Sequence, residues 1–84
     1  MEDYKTHKLV IYNDDVNSYE YIIACLIRFC KHDPIQAEQC AVIAHNTGMC
    51  SVKTGTFDDL FEMQSDLSNM DIITEIESYE SSMY

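Results

Sequence analysis

Leu9-Val10-Ile11-Tyr12-Asn13-Asp14-Asp15-Val16-Asn17-Ser18-Tyr19-Glu20 is the stretch that decides the fold. Its branched and aromatic opening, entered from Lys5 and running to Tyr12, reads as a β-strand. Asn13-Asp14-Asp15 breaks the strand, because such side chains bond to nearby backbone and favour turns. Asn17 then reads as an N-cap, with Glu20 three residues on to close a capping box. From Ser18 to about Lys31, Tyr19, Ile22, Ile23, Leu26, Phe29 and Cys30 recur at helical spacing and mark one buried face.

The same reasoning extends down the chain. Asp33-Pro34-Ile35-Gln36 is a strong helix start, with Asp33 as cap, Pro34 where its missing N–H costs nothing and Gln36 completing the box. This second helix is expected to run to about Asn46, with Ala37, Cys40, Ala41 and Ala44 along one side. Gly48 suits the left-handed residue that ends it. Met49 to Thr54 reads as a short strand. Thr56 and Asp59 open a third helix bearing Phe57, Leu60, Phe61, Met63, Gln64 and Leu67. Ser68 to Asp71 is a turn, and Ile72 to Glu77 reads as the last strand. The order β-α-α-β-α-β predicts an α+β two-layer sandwich, a three-stranded antiparallel sheet packed against helices. Residues 1–77 form one domain in this reading, with a short flexible arm over 1–6 and a frayed acidic tail over 78–84.

Composition narrows the function classes. Only 5 Lys and Arg stand against 15 Asp and Glu, a net charge of −10. A nucleic-acid binder needs a cationic footprint, so that class is excluded, and acidic lipid surfaces are disfavoured for the same reason. The longest apolar run, Ile22 to Ile27, falls far short of the roughly 20 residues of a membrane span. The acidic start Met1-Glu2-Asp3-Tyr4 has no signal-peptide pattern, which points to a cytoplasmic protein. Cys25, Cys30, Cys40 and Cys50 show no C-x-x-C spacing, so they read as reduced thiols packed as small apolar groups.

Few residues carry chemistry. Asn13, Asp15 and Asn17 alternate like calcium ligands, yet the sixth loop position is Ser18 rather than Gly and the twelfth is Ala24 rather than Glu. His45 sits on the second helix one turn after Ala41; such a histidine is either structural or a site residue. His7 and His32 have no metal spacing with it. No nucleophile is paired with a base, and there is no phosphate loop, so neither an enzyme nor a cofactor is expected.

Together these residues resemble the ClpS family, bacterial adaptors that recognise N-degrons for Clp proteases. The resemblance rests on Val10-Ile11-Tyr12-Asn13-Asp14-Asp15, Glu20, Leu26, Phe29, Asp33, Ala37, His45 and Gly48, with ungapped spacing from Asn13 to His45. Cys50, Val52 and Ile72 to Glu77 fit the later strands more thinly. It implies that Asn13, Asp14 and His45 bind a substrate's N-terminal amine. It implies an apolar pocket at Asn17, Tyr19, Ile22, Ala41, Ala44 and Ile72. The implied partners are N-terminal segments of substrate proteins and a AAA+ Clp unfoldase of the ClpA or ClpC type, with the adaptor a monomer. Ala41 and Ala44 replace bulkier family residues, which implies a wider floor. The long N-terminal extension used in delivery is nearly absent. Thr56 and Phe61 stand near positions where members present Glu and Lys to the unfoldase. The alternative is a degenerate ClpS-like interaction domain that reads no N-termini or does not deliver. The element order is also similar to the C-terminal domain of the ribosomal stalk protein.

Overall fold

The structure is a computed structural model that describes residues 7–13 and 16–78. Its elements are β1 (His7–Tyr12), α1 (Tyr19–Cys30), α2 (Pro34–Thr47), β2 (Met49–Gly55), α3 (Phe57–Asn69) and β3 (Thr74–Ser78). The strands form an antiparallel sheet in the order β2-β1-β3. The expected α+β sandwich is therefore the observed fold.

Local chemistry sets the helix ends. Asp33 accepts from the backbone N–H of Gln36 at 2.7 Å, and Pro34 opens α2. Thr56 Oγ1 accepts from the N–H of Asp59 at 3.2 Å, as its position before α3 predicts. Gly48 closes α2 with φ at +98°, a left-handed conformation that costs glycine little. The start of α1 differs from the expectation. Ser18, not Asn17, is its cap, and Ser18 Oγ accepts from the N–H of Tyr21 at 3.1 Å. Glu20 is thus one residue short of the box position. Asn17 is drawn elsewhere, its Nδ2 donating to the carbonyl of Asp71 at 2.8 Å.

Leu9 and Ile11 of β1, with Cys50 and Val52 of β2, face Leu26 and Cys30 of α1, Ala37 and Ala44 of α2, and Leu60 and Leu67 of α3. Each fully buried leucine there stabilises the fold by about 1.5–3 kcal/mol. The β1–β2 register shifts between Leu9 and Val10, leaving Val52 as an extra residue on β2. Beside it the buried His32 lies with Nε2 at 2.7 Å from the Val52 carbonyl, so the ring N–H donates to it. His32 Nδ1 has no partner.

Two strand-boundary expectations are corrected here. Ile72 and Ile73 precede β3 instead of opening it, because the N–H of Ile72 donates to the Leu67 carbonyl at 3.1 Å and caps α3. Ser78, expected in the tail, is the last residue of β3 and pairs with His7. On α3, Phe57 and Phe61 are 48% and 52% exposed and stack on each other at 5.8 Å. The expected arm over 1–6 and residues 79–84 of the expected tail lie outside the described residues.

Candidate functional site

Antiparallel register builds the site. Tyr12 pairs with Met49, so the next residue of β1's exit, Asn13, falls opposite Gly48. Its N–H donates to the Gly48 carbonyl at 2.9 Å, while the Gly48 N–H donates to the Ala44 carbonyl at 2.8 Å. Two short bonds thus dock the polar break after β1 onto the last turn of α2, where His45 sits. The far side of the break is held by Asn17 on the Asp71 carbonyl and by the Tyr12 N–H on the Ile73 carbonyl at 2.9 Å. Tyr21 reinforces this, its hydroxyl donating to the Met70 carbonyl at 2.9 Å.

Between these ties lies a cavity of about 250 Å³. Ile11, Ile22, Ala41 and Ala44 give it apolar walls, Tyr19 adds aromatic surface, and Tyr12 also borders it. Asn13, Asn17 and His45 supply its polar groups. Alanine is what leaves the space open, since Ala41 and Ala44 are themselves buried at 3% and 4% exposure. A longer side chain at either position would enter the volume.

Of the residues singled out from the sequence, Asn13, Asn17, Tyr19, Ile22, Ala41, Ala44 and His45 all line this one cavity. Ile72 is 2% exposed in the core and is not among the lining residues. Asp14 lies outside the described residues, as does Asp15. Ile11 and Tyr12 are lining residues that sequence reading missed. Strand alternation would have placed Ile11 on the helix side with Leu9.

Tyr12 has a second feature. Its hydroxyl donates to Glu75 Oε1 at 2.6 Å. That bond, followed by desolvation and the carboxylate's charge, pushes its pKa up to about 12. The bond ties the end of β1 to β3 on the sheet face away from Ile11. Among the described residues no Ser, Thr or Cys lines the cavity. Its chemistry is that of a receptor: amide and imidazole groups that accept hydrogen bonds, above apolar walls.

Comparison with known proteins places this fold. The structure of Agrobacterium tumefaciens ClpS2 bound to L-phenylalaninamide matches with a TM-score of 0.75 at 18% identity, covering 89% of this chain and 100% of that one. No curated protein matches. The family model for ATP-dependent Clp protease adaptor protein ClpS matches residues 2–74, and the chain belongs to the ClpS family.

Proposed function

We propose that this chain is an adaptor that binds proteins by a bulky hydrophobic N-terminal residue and delivers them to a AAA+ Clp unfoldase, of ClpA or ClpC type. It acts as a cytoplasmic monomer in this reading. The family is one of adaptors, not proteases. One observation carries the proposal: Asn13 and His45, far apart in sequence, meet on a single cavity whose walls are Ile22, Ala41 and Ala44.

The chemistry of an N-terminus fits that pairing. Its ammonium is a compact cation with three donors, and Asn13 and His45 offer an amide oxygen and an imidazole nitrogen. Asp14 is assigned the carboxylate of the clamp from its place beside Asn13. Hydrogen bonds to a charged group contribute about 1.5–3 kcal/mol each. Burying the first side chain adds about 1.5–3 kcal/mol, enough to prefer Leu, Phe, Tyr or Trp over small residues. The related ClpS2 structure holds L-phenylalaninamide, a free amine beside an aromatic side chain. Ala41 and Ala44 widen the floor here, which supports acceptance of larger or branched first residues as well.

Fluorescence anisotropy with peptides beginning Leu, Phe, Tyr, Trp, Ile or Met, free and acetylated, tests the reading. Micromolar or tighter binding is expected for a subset, lost on acetylation and in Asp14→Ala and His45→Ala. Indifference to every peptide would leave an interaction domain that does not read N-termini.

A further inference from the structure

The chain's 4 cysteines are free thiols, and three of them converge from different elements. Cys30 ends α1 and Cys50 lies on β2, and both belong to the core cluster beneath α2. Cys40, midway along α2, packs against that cluster. A side-chain hydrogen bond joins Cys50 to Cys40, whereas Cys30 meets Cys40 only through charge. Exposure divides the roles. Cys30 and Cys50 are 0% and 7% exposed, while Cys40 is half-buried and open to solvent. One thiol within reach of a reagent is thus held against a second, buried one.

We propose that Cys40 and Cys50 form a reversible disulfide on exposure to hydrogen peroxide, fastening α2 to β2. The Cys40 thiolate attacks one peroxide oxygen. An S–O bond forms, the O–O bond breaks, and hydroxide leaves to take up the thiol proton as water. The Cys50 sulfur then attacks the Cys40 sulfenic acid. An S–S bond forms, the S–O bond breaks, and the hydroxyl departs with the Cys50 proton as a second water. Each sulfur gives up one electron, and the peroxide takes both. Sulfurs already in contact need only a short approach to the roughly 2.05 Å of a disulfide. Cys50 holds its proton tightly, so proximity rather than thiolate character drives the second step. The bond closes a loop over residues 40–50 that holds His45 and Gly48. It also ties together two walls of the cavity, since Cys40 precedes Ala41 and Cys50 is the register partner of Ile11. Capture by Cys50 keeps Cys40 from advancing to the sulfinic and sulfonic acids, which thiol reductants do not restore.

Reduced, folded wild-type chain is treated with hydrogen peroxide, quenched with an alkylating agent, digested and mapped by mass spectrometry. A single Cys40–Cys50 link is expected, with Cys25 and Cys30 still alkylated and all four thiols restored by dithiothreitol. The oxidised chain should melt at least about 5 °C above the reduced one, because a loop closed in native geometry restricts the unfolded chain. The same treatment in urea should give mixed pairings, so selectivity reports the fold. Cys30→Ala should oxidise as the wild type does. Cys50→Ala, with folding checked by circular dichroism, should carry Cys40 on to the sulfinic or sulfonic acid, which dithiothreitol does not reverse. A Cys30–Cys40 link, an unselective mixture, or a wild-type Cys40 that stays reduced or passes to sulfinic acid overturns the pairing. So does an oxidised chain that melts at or below the reduced one. The mapping on the wild-type chain decides the matter even where a variant fails to fold.

Discussion

Helices α2 and α3 pack on the same sheet but in opposite ways. The buried face of α2 is Ala37, Ala41 and Ala44, whereas α3 buries Leu60 and Leu67 and leaves Phe57 and Phe61 outside. Small side chains let α2 approach closely yet fill little, so a cavity remains between it and α1. Leucines let α3 fill its share of the core completely. Space for a ligand and stability of the fold are thereby assigned to different helices, a division that a chain of 84 residues with a small core can sustain.

The largest expected effect falls on α3. Leu67→Ala and Leu60→Ala, each at 1% exposure or less, should lower stability by about 2–5 kcal/mol in urea denaturation. Folded protein should still bind peptide with its original affinity. Loss of peptide affinity at temperatures where the variants remain folded would break the division, because it would show that α3's packing shapes the cavity. Phe61→Ser, on the exposed face of the same helix, should change stability by less than about 0.5 kcal/mol.

On α2 the order of effects should reverse. Ala41→Leu inserts methylenes into the cavity itself, so overpacking costs at most about 1–3 kcal/mol. Peptides with an aromatic first residue should lose at least about tenfold in affinity, the equivalent of about 1.4 kcal/mol. A variant that binds Phe-started peptides as the parent does would show that the first side chain lies elsewhere.

These contrasts also show what was legible in the sequence. The starts of α2 and α3 were, because Asp33 and Thr56 bond to backbone three residues on, a local event that spacing reveals. The start of α1 was misplaced by one residue. Asn17 and Ser18 are both cap-type side chains, and the choice was settled by a long-range bond from Asn17 to Asp71. Ile72-Ile73 read as strand from their branched side chains, but the Ile72 N–H turns to the Leu67 carbonyl of α3, and Ile73 keeps only a bond to Tyr12 ahead of the ladder. The meeting of Asn13 with His45 is non-local as well. It was reachable only through family resemblance, since the register that brings Asn13 to Gly48 is written in pairing between β1 and β2. Tyr12 borders the cavity for the same reason, whereas Ile11 is within reach of simple strand alternation from Leu9.

Gly48 links the two halves of the proposed clamp, so it tests whether the end of α2 is tuned for conformation or for contact. An added Cβ would meet nothing within 4 Å, but φ is +98°. Gly48→Ala should therefore cost about 1 kcal/mol through backbone strain alone, with Gly48→Asn milder. If the strain is relieved by shifting the turn, peptide affinity should fall along with stability, because the Asn13 N–H loses its acceptor geometry. Equal affinity in a destabilised variant would mean that the bond from Asn13 is not what aligns the rim.

The smallest effect concerns the core beneath α2, which is lined by thiols where the core beneath α3 is lined by leucine. Burial pushes the Cys30 thiol up to about 11, with Lys53 opposing and the neighbouring Cys40 adding to the rise. Burial, then a hydrogen bond and charge interaction with Cys40, pushes Cys50 up to about 12. In the unfolded chain both would ionise near the ordinary value of about 8.5. The folded chain therefore holds these protons more tightly. The stabilisation is complete below the unfolded value, shrinks as pH rises past it, and is gone once the folded values near 11 and 12 are passed. Thermal melts should show stability falling between about pH 9 and 11, with a shallower fall in Cys30→Ala and Cys50→Ala than in the parent. All other titratable groups are common to the three proteins, so the difference between slopes, not the slope itself, reports the thiols. Parallel slopes in all three proteins would mean that the protons of this half of the core contribute nothing, and that Cys30 and Cys50 act there only as small apolar groups.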